Sequence, residues 1–139
     1  MEIKDVFLII FPLLSGIISA WITYLFTARS RKDEVMMRFK EEKYANLLTL
    51  LQGFVGRTTS GDLKRKFFEE QYRSWLYSSD NVVIAINEMV ALLIKERGNT
   101  PDPKKGKKII GNIVLEIRKD LLGKTNLKSE DFTYIDVIE

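Results

Sequence analysis

The sequence predicts an all-α protein, with an N-terminal transmembrane helix continuing into a small cytoplasmic helical bundle. Three observations carry this. Residues Val6 to Ala28 hold no charged side chain and are almost wholly apolar. The rest of the chain is charged, with apolar residues recurring at helical spacings of three, four and seven. From Leu13 to Gln52 there is no proline and the only glycine is Gly16, so one helix can leave the apolar run without a break.

As a helix the apolar run reaches roughly 34 Å, enough to cross a hydrocarbon core of about 30 Å. A cleaved signal peptide carries its basic residues before a short apolar core. Here Arg29, Arg31 and Lys32 follow the run, and the leader holds Glu2, Lys4 and Asp5. Residues 1–28 therefore read as a membrane anchor and 29–139 as one domain. Lysine and arginine resist translocation, so the N-terminus is expected outside and the domain in the cytoplasm, in a single-pass inner (plasma) membrane protein. Trp21 and Tyr24 fit an interfacial aromatic belt. Pro12 lies early in the helix, where a mild kink is expected. Ser15, Gly16, Ser19, Ala20 and Thr23 share one face, whose small side chains allow close helix–helix packing and mark an oligomer interface in the membrane.

Beyond the span, Met37, Tyr44, Leu48, Leu51 and Val55 form an apolar stripe, with Met36, Leu47, Leu50 and Phe54 beside it. Lys40, Glu41, Glu42 and Lys43 occupy the opposite face. Met36, Met37, Tyr44 and Leu48 are the expected juxtamembrane interface, where the methionines offer adaptable packing. Gly53, Gly56 and the RTTSG segment at 57–61 end this helix. A second helix is expected from about Asp62 to Tyr77, with Ser78-Ser79-Asp80 as a break that caps the next. That next helix, from Asp80 to about Arg97, carries VVIAI and MVALLI and reads as centrally buried. Gly98 to Pro103 forms a loop. The last helix is expected from about Lys107 to Leu122, with lysines 104, 105, 107 and 108 solvated or lipid-facing, since cations disfavour a helix N-terminus. Gly123 fits the position just past its end. A short SEDF turn follows, and TYIDVI is expected to lie extended on the bundle. The predicted core comprises Leu48, Leu51, Phe67, Trp75, Leu76, Val83, Ile86, Val90, Leu93, Ile110, Val114 and Ile117.

Composition narrows the function. The net charge of +3 rises to about +4 once Glu2, Lys4 and Asp5 are set aside, and the signs alternate along the helices. That argues against nucleic acid as a partner and fits attraction of residues 29–32 to anionic lipid. Without cysteine there is no disulfide, thiol catalysis or thiolate metal site. Without histidine the commonest general base and the commonest zinc ligand are missing. Gly53-x-x-Gly56 lacks the Lys-Ser/Thr of a phosphate loop. The pairs Glu41/Glu42, Glu69/Glu70 and Glu130/Asp131 occupy adjacent positions, which diverge on a helix. KKGKK at 104–108 reads as a soluble surface.

Two clusters stand out, RSWLYSSDNVVIAIN at 73–87 and EIRKDLLGKTNLKSEDF at 116–132. Their matching positions are Trp75, Leu76, Tyr77, Asp80, Val82, Asn87, Arg118, Lys119, Asp120, Leu121, Asp131 and Phe132. At these the chain resembles a family of uncharacterised prokaryotic proteins, often with one N-terminal membrane helix. That resemblance implies a helical bundle behind an anchor and no reaction. From the same clusters Arg73, Tyr77, Asp80, Arg118 and Asp120, with Glu70, form a candidate polar site able to bind a nucleotide or acidic peptide. Each also has a structural role open to it: Asp80 as a cap, Trp75 as core, Arg118 paired with a carboxylate.

The expected function is a non-enzymatic, cofactor-free scaffold or assembly protein at the inner membrane. Its expected partners are membrane lipid, further copies of itself as a homo-oligomer, and a protein partner. The alternative is an oligomeric pore or membrane-perturbing effector gated by the cytoplasmic bundle, favoured by the Ser15/Ser19/Thr23/Thr27 stripe.

Overall fold

The computed structural model describes residues 3–54, 60–97 and 102–133. It is helical throughout, with no strand among these residues. Helix α1 runs Ile3–Leu51 and is followed by a 3-10 turn, Gln52–Phe54; α2 is Gly61–Ser74, α3 Asp80–Lys95 and α4 Pro103–Leu122, before a second 3-10 turn at Ser129–Asp131. The chain divides into two compact units, Met1–Arg38 and Phe39–Glu139.

In the first unit α1 continues through Pro12. Its apolar side chains, among them Leu14, Ile18, Trp21 and Leu25, are exposed, and none of the apolar window is buried. This is a helix long and apolar enough to cross a membrane, whereas the core helix of a water-soluble domain would be covered by its own protein.

The second unit is a small bundle. Tyr44, Leu47 and Leu51 of α1 enter its core at spacings of three and four, as do Val82, Ala85, Ile86 and Met89 of α3 and Ile110, Ile113 and Ile117 of α4. Phe67 of α2 is fully enclosed and meets Phe54 and Phe68 edge-on at 5.1 and 5.8 Å. Each such side chain contributes about 1.5–3 kcal/mol by leaving water.

Local chemistry sets the helix limits. The Ser60 hydroxyl accepts from the Leu63 N–H at 3.4 Å to open α2. Helix α4 starts at Pro103, earlier than expected, because Asp102 accepts from the Lys104 N–H at 3.0 Å and proline suits the first helical position. These two features outweigh the unfavourable lysines of the first turn. Gly123, at φ 81°, closes α4 with its N–H on the Lys119 carbonyl at 2.8 Å. Ser79, not Asp80, is the N-cap of α3, and Asp80 is an exposed first-turn residue. The α1 end at Leu51 and the turn at Ser129–Asp131 agree with the sequence reading. Val55 to Thr59, Gly98 to Pro101 and Tyr134 to Ile138 of the expected stripe, turn, loop and tail lie outside the described residues.

Three packing expectations are corrected. Trp75 and Leu76 are not core: they are 59% and 89% exposed. Helix α2 ends at Ser74, and the Leu76 and Tyr77 N–H groups reach back three residues to Arg73 and Ser74 at 3.0 and 3.2 Å. The spacing of three and four that buries Phe67, Glu70, Gln71 and Ser74 carries on to Tyr77, which leaves Trp75 and Leu76 facing outward. Helix α3 is not buried all round, since Ile84 and Ile94 are exposed. Tyr44 and Leu48 do not form a surface stripe; Tyr44 is 1% exposed inside the bundle and Leu48 packs at the core margin.

Candidate functional site

The bundle's concentration of polar groups lies where α1, α4 and the turn between α2 and α3 meet. Lys40 and Tyr44 are one helical turn apart on α1 and so share a face. Lys40 Nζ donates to Asp120 of α4 at 2.9 and 3.2 Å, and the Tyr44 hydroxyl donates to the same carboxylate. Burial would raise the Asp120 carboxyl, but the hydrogen bonds from Tyr44 and Lys40, with the Lys40 charge, outweigh it and hold the group below its ordinary range. Burial, and then the hydrogen bond to Asp120, push the Tyr44 phenol well up.

A second polar pair adjoins the first. The Tyr77 ring lies 5.7 Å from that of Tyr44, and its hydroxyl donates to Glu70 of α2 at 3.1 Å. Glu70 is almost fully buried, with Arg73 Nη1 at 3.6 Å from its other oxygen. Burial, then the Glu70 charge, push the Tyr77 phenol up as well. Both tyrosines are thus held as neutral donors to carboxylates.

The structure splits the five residues of the predicted polar site. Tyr77 and Asp120 come together through Tyr44, and Arg73 joins them through Glu70. Arg118 Nε donates to Thr125 at 3.2 Å, and among the described residues it pairs with no carboxylate. Asp80 stays exposed. Sequence reading missed Lys40, grouping it with the solvated face, although its spacing of four from Tyr44 put both on one side of α1.

Most of the cluster's donors and acceptors face one another, an arrangement that pins helices. The Ser78 hydroxyl in the adjoining turn is buried without a hydrogen-bond partner among the described residues. A groove of about 270 Å³ lies elsewhere, between Gly111, Val114 and Leu115 of α4 and Leu127, Lys128 and Phe132 beyond it. Another of about 250 Å³ runs between Asn81 and Ile84 of α3 and Asn112 and Glu116 of α4. Among the described residues, no three acidic side chains converge to hold a metal ion.

On the predicted membrane face, the Ser15 and Thr23 hydroxyls bond to their own helix, at Pro12 O (2.9 Å) and Ser19 O (2.8 Å). Open space surrounds Gly16. Met36 and Met37 are exposed.

No family model, curated protein or solved structure matches the chain.

Proposed function

We propose that the protein is a membrane-anchored helical scaffold that self-associates through its span. The observation that carries this is the exposed apolar run of α1, which needs lipid or another helix around it. The basic flank Arg29, Arg31 and Lys32 supports insertion with the bundle in the cytoplasm of the inner membrane. The Lys40–Asp120–Tyr44 and Tyr77–Glu70 pairs support a structural role over an enzymatic one. For self-association the support is the small-residue face of Ser15, Gly16, Ser19, Ala20 and Thr23, with space at Gly16 for a neighbouring backbone. Of the stripe that favours a pore, two hydroxyls are bonded to carbonyls of their own helix.

Replacing Gly16 and Ala20 with leucine blocks close approach. The native chain, weighed in mild detergent, is expected to exceed one protomer and the double variant to be monomeric. A native monomer, or a variant of unchanged mass, rules out association by this face. Release of the chain from membranes by alkaline carbonate rules out the anchor.

A further inference from the structure

The α2–α3 turn places Tyr72, Trp75 and Leu76 on the bundle surface, 74%, 59% and 89% exposed. Tyr72 and Leu76 are one helical turn apart, and Arg73, also exposed, lies beside them. The spacing that buries Ser74 and Tyr77 turns Trp75 and Leu76 outward and leaves two large apolar side chains on the surface. Phe39, half-exposed and the first residue of the bundle, meets the Tyr77 ring edge-on at 5.6 Å. The patch is therefore at the end of the bundle where the chain enters it.

We propose that Tyr72, Trp75 and Leu76 form a lipid-contact surface that seats the bundle on the headgroup region of the bilayer. This rests on the reading of residues 6–28 as a membrane span. Three arguments select lipid as the occupant. The composition is that of an interfacial anchor, two amphipathic rings and an aliphatic side chain beside a cation. Phe39 follows Ala28 by eleven residues within α1, about 16 Å along the helix, so the bundle begins close to the end of the span. The area is too small for a second copy: with aromatic side chains of about 150–250 Å², the exposed parts including Phe39 come to on the order of 500 Å², against about 800 Å² per partner in a stable interface.

The chain's two tryptophans allow each layer to be read separately. The full chain is reconstituted in vesicles of zwitterionic and anionic lipid, with and without lipids brominated near the headgroup end of the acyl chain. In Trp21→Phe the remaining emission comes from Trp75, and in Trp75→Phe from Trp21. Bromine is expected to quench both, and aqueous iodide to reach Trp75 poorly. Leu76→Asp, which sets a carboxylate against the anionic surface, is expected to cut bromine quenching of Trp75 about twofold or more. If Trp21 is quenched while Trp75 is open to iodide and insensitive to bromine, the lipid contact is wrong and the anchor stands. Trp75 shielded from both quenchers means that protein covers the patch, which also overturns the proposal. Undiminished quenching in Leu76→Asp does the same. If bromine fails to quench Trp21, the anchor itself falls, and the proposal with it.

Discussion

Lys40 and Asp120 are eighty residues apart in the chain, yet Nζ lies 2.9 Å from Oδ2. Both side chains are largely enclosed, and the Tyr44 hydroxyl adds a second donor to the same carboxylate. The pair ties α1 to α4, elements whose own apolar faces leave their register open. A partly enclosed charge keeps its place only where a partner meets it, so this contact selects one alignment of the two helices.

Asp120→Asn keeps the shape and removes the charge. We expect a loss of about 2 kcal/mol in the unfolding free energy, because Lys40 is left enclosed beside a neutral partner. Lys40→Met is expected to cost a similar amount, since it leaves the more enclosed Asp120 carboxylate without its cation, whereas the double variant Lys40→Met/Asp120→Asn removes both charges and is expected to cost less. Denaturant titration of the full chain in detergent tests all three, and an Asp120→Asn midpoint equal to that of the native chain refutes the pairing.

Acid should act through the same carboxylate. Asp120 is held below its ordinary range in the folded state, so its contribution is present at neutral pH and down to about 4, where the unfolded group titrates. It is lost as pH falls through the lower folded value. Comparing pH 6 with pH 3, Asp120→Asn should lose less stability than the native chain; equal losses would show that Asp120 does not carry the effect.

Alkali should act through Tyr44 and Tyr77, whose phenols are raised in the fold. The stability they confer is complete below about pH 10, where an unfolded tyrosine ionises, and declines above it. Phenolate absorbance of the folded chain at pH 11 should be unchanged by Tyr44→Phe or Tyr77→Phe, because neither phenol ionises until the bundle unfolds. Full ionisation in the folded protein would contradict their burial as neutral donors.

Two glycines of α4 should respond with opposite signs. A Cβ at Gly106 meets nothing within 4 Å, so Gly106→Ala should stabilise by about 0.5–1 kcal/mol through helix propensity. At Gly111 the added atom would lie 2.2 Å from the Ser129 carbonyl oxygen, forcing the 3-10 turn off the helix. There the propensity gain is outweighed by about 1–3 kcal/mol of overpacking. Stabilisation by Gly111→Ala would show that the turn does not seat against α4.

Size and burial separate at Trp75 and Phe67. Phe67→Ala should cost about 3–5 kcal/mol, as expected for a fully enclosed ring. Trp75→Ala should stay within about 0.5 kcal/mol, as a surface substitution. A large loss at Trp75 in detergent would move it into the core.

The all-helical class and the apolar run long enough for a span were legible in the linear pattern, because hydropathy and a 3.6-residue period are local properties. So were the Ser129–Asp131 turn and the glycine closing α4, since local backbone chemistry sets both. Which apolar residues face inward was legible in part: the core predicted from sequence includes Ile110 and Ile117, which are buried, and omits the fully buried Ile113. At the end of α2 the large apolar side chains of Trp75 and Leu76 read as core, but the three-and-four spacing from Phe67 leads to Tyr77 instead. The buried positions between them, Glu70, Gln71 and Ser74, are polar, so hydropathy alone hides the inward face. The polar cluster was legible in part: the sequence groups Arg73, Tyr77 and Asp120 with Glu70 as one site and leaves out Lys40 and Tyr44. Lys40 sits beside other charges and looks solvated alone; its pairing with Asp120 exists only because the packing of α1 on α4 removes water from both. Local periodicity can place a side chain on a face, and only the meeting of faces decides which charges share a site.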